Sequence, residues 1–199
     1  MRFYVVCAAL SLLVPLPGVA FAQDDQAAAT TQNEPALTTP AERLNVLFAE
    51  LKRERDPDKA KLISDSIRVE WRESGSPTVN FLMQQADKAM TEDKDPAALD
   101  YLDEVIQLAP GYVEGWNQRA TLNYKLGNYR KSMSDINRVL AIEPRHFGAI
   151  AGMAMILTSY GRDELALEAW QRFLDVYPSE RRAQKALGEI AEKLAGKRT

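Results

Sequence analysis

Between residues 79 and 180 the chain repeats one pattern of large apolar, small and proline positions. Pro110, Pro144 and Pro178 recur every 34 residues. Under the same shift Leu82, Trp116 and Ile150 coincide, as do Ala86, Ala120 and Ala154. A small-residue column follows at Ala98, Ser132 and Ala166. Three large apolar columns come next: Leu102, Ile136 and Trp170, then Val105, Val139 and Phe173, then Leu108, Ile142 and Val176. Each column keeps its size and polarity class, so this stretch is an array of one structural unit.

The spacing inside a unit predicts two helices. In the middle unit Trp116 and Ala120 lie four apart and share a helix face. Gly127 ends that helix in the position past its C-cap, and Asn128 is placed to cap the next. Ser132, Ile136, Val139 and Leu140 then form the apolar stripe of a second helix. Pro144 stops it, because proline disfavours helix in the residue before it. The third unit repeats the plan with Ile150, Ala154 and Leu157, then Gly161, then Ala166, Trp170, Phe173 and Leu174, then Pro178. The first carries Leu82, Ala86 and Ala89, a turn at Asp95-Pro96 with Asp95 as cap, then Ala98, Leu102, Val105 and Ile106, then Pro110. The small columns mark where two helices of a hairpin cross closely, so a bulky side chain there would push them apart.

The flanks continue in helix. Thr39-Pro40-Ala41-Glu42 has the form of a capping box, with Leu44, Leu47, Phe48 and Leu51 following at helical spacing. Asp56-Pro57 opens another helix that turns Leu62, Ile63, Ile67 and Trp71 inward and ends at Gly75. The expectation is a helical hairpin over 41–78, a degenerate repeat. Beyond the array Ser179 is placed to cap a helix with Ala183, Leu187 and Ile190 on one face. Its charged opposite face suits a capping helix, with a short tail, over 181–199. The reading is all-α, about nine helices, with units at 79–112, 113–146 and 147–180.

The spacing W-x2-R-A-x2-N…S-x3-I…P from Trp116 to Pro144, with the Gly127 turn and the period, resembles the tetratricopeptide repeat. The resemblance covers residues 79–180 as three repeats in tandem. Arg119 and Asn123 stand where the family favours Leu and a large aromatic, and Asp163 replaces a turn aromatic that Tyr129 retains. The segment from Gly115 to Ala149 also looks like short secreted tetratricopeptide proteins of alphaproteobacteria. The resemblance implies a continuous right-handed α-solenoid in which each repeat touches only its neighbours. It also implies a concave groove, lined by the first helix of each repeat, that binds extended peptides or helices.

Carried over residue by residue, the partner-binding groove positions are Asn80, Met83 and Asp87 in the first repeat. They are Glu114, Asn117, Thr121, Tyr124 and Lys125 in the second, and Ala151, Met155, Thr158 and Ser159 in the third. The family's carboxylate-clamp variant needs Lys and Asn at particular groove positions; Asn117 is present, but the expected lysines are not. Two methionines, one tyrosine and few charges fit a peptide or helix with apolar anchors. The implied function is a non-catalytic adaptor for a protein or peptide partner, with no cofactor and no bound metal.

Residues 1–22, MRFYVVCAALSLLVPLPGVAFA, place Arg2 before an apolar run that Pro15 and Pro17 break. Ala20-Phe21-Ala22 then supplies a small-x-small cleavage pattern, so this segment reads as a secretory signal peptide. The run is shorter than a membrane-spanning helix needs. Residues 23–40 are rich in Ala, Thr, Gln and Pro and read as a disordered linker. The expected location is the periplasm or the exterior, with no stable membrane span after cleavage.

Over 199 residues the net charge is -3, which excludes a basic nucleic-acid binder. One Cys and one His argue against a disulfide framework and a Cys/His zinc site, and Cys7 lies in the signal segment. The densest acids, Asp93, Asp95, Asp100, Asp103 and Glu104, lack the glycine-centred loop of a calcium site and read as a solvated face. His146 follows Pro144 in the loop between two repeats and reads as a cap for the next helix. Two rival readings stand beside the adaptor. One is a cell-wall-active enzyme using His146 as base. The other is a structural subunit of a cell-envelope assembly, with self-association.

Overall fold

The computed structural model describes residues 39–196. The signal-peptide reading, all but the end of the linker reading, and the last three residues of the tail lie outside the described residues. Within them are nine helices and no strand: α1 (Pro40–Arg53), α2 (Pro57–Arg72), α3 (Pro77–Thr91), α4 (Asp95–Leu108), α5 (Val113–Lys125), α6 (Tyr129–Ile142), α7 (Phe147–Ser159), α8 (Asp163–Val176) and α9 (Arg181–Gly196).

Local chemistry explains most of the boundaries. Thr39 and Glu42 form the reciprocal capping box at the start of α1. The Asp56 carboxylate accepts from the Asp58 and Lys59 amides at the start of α2, and Ser76 caps α3. The turn inside each repeat needs one left-handed residue. Gly127 and Gly161 supply it at φ 73° and 66°, and Asp93 supplies it at 54° in the first repeat. Asp is among the side chains that tolerate this conformation, whereas most L-residues resist it.

Three capping expectations shift by a residue or lose their hydrogen bond. Lys94, not Asp95, occupies the cap position of α4, and Asp95 is the first helical residue. Asn128 holds the cap position of α6 without a side-chain cap bond. Its amide points instead to Asn123 Oδ1, 3.5 Å away. At α9 the Glu180 carboxylate accepts from the Ala183 amide at 2.6 Å, while the Ser179 hydroxyl is buried with no partner. Leu62, expected inward, is 67% exposed, and Ser64 takes its place in the buried stripe with Ala60, Ile67 and Trp71.

Helices pair as α3–α4, α5–α6 and α7–α8, with α4 on α5, α6 on α7 and α9 closing on α8. All six members of the two small columns are buried. The Ser132 hydroxyl donates to the Ala120 carbonyl at 2.8 Å, so the two columns meet directly. The core falls into two clusters. One joins the first repeat to Tyr112 and Leu122 at α5; the other joins the second and third repeats and α9 to the N-terminal hairpin.

That hairpin departs from neighbour-only packing. α1 packs on α8 and α2 on α5. The reason is an aromatic cluster. Trp71 lies 4.0 Å from the His146 ring, nearly parallel at 17°, and 5.0 Å from Phe147. Phe147 in turn meets Phe173 and Tyr177 edge-on. Phe48 packs on Trp71, with the Arg145 guanidinium 4.1 Å over its ring. Arg43 grips Glu70 through two hydrogen bonds of 2.9 and 2.8 Å, locking α1 to α2.

The close crossings make two predictions. Ala120→Leu should overpack the α5–α6 crossing and destabilise the protein by roughly 1–3 kcal/mol, read as a lowered thermal midpoint. Gly115 sits inside α5, where alanine would ordinarily stabilise by up to about 1 kcal/mol. A Cβ there would lie 2.7 Å from the Val105 Cγ1 atom, and Val105 is fully buried and stiff. Gly115→Ala should therefore lower the midpoint; a rise would show that α4 and α5 can separate without loss.

Candidate functional site

The first helices of the repeats, α3, α5 and α7, carry all twelve residues expected in the groove. The structure puts them to different uses. In α3, Asn80 ties down the loop before it: its amide donates to Glu73 Oε1 at 2.8 Å, and its Oδ1 accepts from the Ser74 hydroxyl at 2.6 Å. Met83 is buried in the core of the first repeat. Lys125 reaches back to Asp93 and Asp95 at 3.0 and 3.3 Å, bridging two repeats. Thr158 and Ser159 direct their hydroxyls to the carbonyls of Ala154 and Met155 on their own helix.

Glu114 is buried beneath the end of α2. Its Oε2 accepts from Asn117 Nδ2 at 2.7 Å, and its Oε1 lies 3.8 Å from His146 Nε2, which makes no hydrogen bond. Burial pushes the Glu114 carboxyl up, but facing His146, the Asn117 amide and Arg68 together hold it below the ordinary carboxylate range. Desolvation pushes the Asp87 carboxyl the other way, upward, against the pull of Arg72 and with the push of Glu114. Beside them the Tyr112 hydroxyl donates to the Arg72 carbonyl at 2.7 Å, fastening the end of α2 to the start of α5. Burial raises the pKa of that hydroxyl.

His146 is 1% exposed. Its Nδ1 accepts from the Ala149 amide at 3.0 Å, which caps α7 as the sequence suggested. One ring face is covered by Trp71. A buried, capped imidazole does not reach a substrate in this arrangement.

Of the groove positions, Asn117, Thr121, Tyr124 and Met155 come together at a cleft of about 80 Å³ between α5 and α7. Ala151, half-buried, is a turn away from Met155 on α7. Two residues overlooked in the sequence make the room: Gly148 and Gly152 line the cleft. A Cβ on Gly152 would stand 3.2 Å from Ile136 Cδ1, and one on Gly148 would stand 3.2 Å from His146 Cε1. The signal was there, since glycine inside a helix costs about 1 kcal/mol against alanine and two occur within one turn or so of α7. Among the described residues no helix is long and apolar enough to cross a membrane.

No family model matches the chain. A TPR repeat-containing protein of Rhizobium etli is 62% identical over 164 residues, covering 82% of this chain and 80% of that protein. The chain belongs to the tetratricopeptide repeat family. Among solved structures, the first TPR of Spaghetti (RPAP3) bound to an HSP90 peptide superposes with a TM-score of 0.57 at 21% identity. That match covers 60% of this chain and 95% of that one. MamA superposes at 0.55 and 17% identity, covering 69% of this chain and 82% of its own. These likenesses confirm the helical-repeat fold. Of the expected groove positions, Asn117, Thr121 and Tyr124 of the second repeat and Met155 of the third line the cleft. Asn80 and Met83 in the first repeat, and Glu114 in the second, are committed to internal contacts.

The depressed Glu114 carboxyl has a pH signature. Its contribution to stability is fully present above the ordinary carboxylate range and is lost as the pH falls through its lowered folded-state value. Glu114→Gln should lower the thermal midpoint most near neutral pH, and the difference from the native chain should shrink below about pH 4. A difference that stays constant across that range would show that the charge of Glu114 is not what matters.

Proposed function

We propose that this protein is a non-catalytic adaptor that holds a peptide segment of a partner protein in the α5–α7 cleft. The observation that carries the reading is the convergence of Asn117, Thr121, Tyr124 and Met155 around the floor that Gly148 and Gly152 leave low. A short apolar side chain fits the space, Met155 is 40% exposed and adaptable, and the Asn117 and Thr121 side chains border it with polar groups. Solved relatives in fold were captured with peptides: the first TPR of Spaghetti (RPAP3) with an HSP90 peptide, and TPR2B of yeast Sti1 in a complex with an Hsp70 peptide. The leader-like pattern of residues 1–22 supports a periplasmic or secreted site of action. The occupied state of His146 favours binding over catalysis.

A photoreactive residue at Thr121 or Met155 should crosslink one discrete protein of the cell envelope, and one at Leu165, exposed on α8, should not. Met155→Glu should abolish the product by placing a charge on the apolar seat. Mass spectrometry of the captured chain should find its first residue at Gln23. Equal crosslinking from Leu165 would remove the cleft from the reading, and a chain that still begins at Met1 would remove the secreted location.

A further inference from the structure

A second and larger concavity lies on another face of the same helices. Tyr129, Arg130 and Met133 of α6 and Leu157 of α7, with Tyr160 and Arg162 beyond it, line an open cleft of about 780 Å³. It is distinct from the groove. At about 100° per residue, Leu157 stands nearly half a turn of α7 away from Met155 and Ser159. The floor is apolar and aromatic. Tyr160 is 63% exposed and packs edge-on against Tyr129 at 5.9 Å, which rests on Tyr124.

The rim is charged and unpaired. Arg130 and Arg162 are exposed, line the cleft, and make no ion pair with any described residue. The repeat period shows why. One repeat earlier, Arg119 reaches Asp103 at 2.6 Å and Asp135 at 2.7 Å, closing the space between successive second helices. A shift of 34 residues turns Arg119, Asp103 and Asp135 into Met153, Asn137 and Ala169. A second bridge, between Asp95 at the start of α4 and Lys125, recurs two periods later as Asp163 with Lys193, while the intervening period holds Tyr129 and Ser159 at those positions. The middle position therefore loses its internal bridge and both carboxylates, while gaining two guanidiniums. A cleft with an apolar floor and two free guanidiniums selects carboxylates that flank an apolar side chain.

We propose that the α6–α7 cleft binds an acidic peptide segment of a partner protein. An apolar residue of that segment sits on Met133, Leu157 and the tyrosine pair, and its carboxylates meet Arg130 and Arg162. The site is separate from the α5–α7 groove and stands whether or not that groove is used.

The test is fluorescence anisotropy on the full chain, with a fluorescein-labelled synthetic peptide of one leucine flanked by glutamates. The control peptide has the leucine flanked by lysines. The acidic peptide should bind, the lysine peptide should not, and binding should weaken as salt rises from about 50 to 500 mM. Arg130→Glu with Arg162→Glu should weaken it by roughly ten-fold or more, and Arg130→Gln with Arg162→Gln should do so with less charge change. Met155→Gln should leave it unchanged. Both arginines are exposed and unpaired, so circular dichroism should find these variants folded. Amide shifts should cluster along Tyr129–Asn137 and Ile156–Arg162. Absence of binding, retention in the arginine variants, equal binding of the lysine peptide, or loss in Met155→Gln would each overturn the assignment.

Discussion

Close crossing of paired helices over small side chains is the constraint on which this stack rests. Ala86, Ala120 and Ala154 on the first helices meet Ala98, Ser132 and Ala166 on the second. Where the column holds a hydroxyl, that group is satisfied across the crossing by the Ala120 carbonyl, since a buried polar group without a partner is costly. The large columns follow from this. With the backbones near, Ile136, Val139 and Phe173 fill the space between one hairpin and the next. Gly115 extends the same logic to the α4–α5 contact, where Val105 leaves no room for a methyl group.

The N-terminal hairpin obeys a different rule. Its apolar stripe of Phe48, Leu51, Ile67 and Trp71 is satisfied by the aromatic cluster at the start of α7. This choice shapes the candidate site. The end of α2 covers Glu114 and His146, removing Glu114, the first groove position of the second repeat, from use. The open cleft is displaced toward Thr121 and Met155. Trp71, His146, Glu114 and Arg68 together serve to seat one hairpin on the array.

The period and the columns made the repeat fold legible before any coordinates. They identify which residues face one another within a unit, because helix geometry is the same each time. Leu62 was expected inward for its apolarity, but at about 100° per residue it stands opposite Ile67 and Trp71, on whose stripe Ser64 falls. The columns are silent where the answer depends on which surfaces meet. Ser179 and Glu180 are both competent caps, and the longer side chain reaches the amide. The groove list falls on α3, α5 and α7, yet a position does not reveal occupancy. Asn80, Met83 and Glu114 are consumed by contacts within the chain, and nothing in their spacing foretells it. The unpaired state of Arg130 and Arg162 was hidden for the same reason, since a charge is free only relative to the partners that folding brings near.

Arg145 donates to Asn45 at 2.9 Å, across one hundred positions of sequence. In an open solenoid, segments fold and melt from either end because every contact is local. Here the first described helix lies on the eighth, so the chain closes a long loop on itself before its second core is complete. Such long-range closure slows folding relative to local contacts and binds the array into one cooperative unit. An export route that delivers the chain unfolded would receive the hairpin first, and it would stay without its seat until the third repeat arrived.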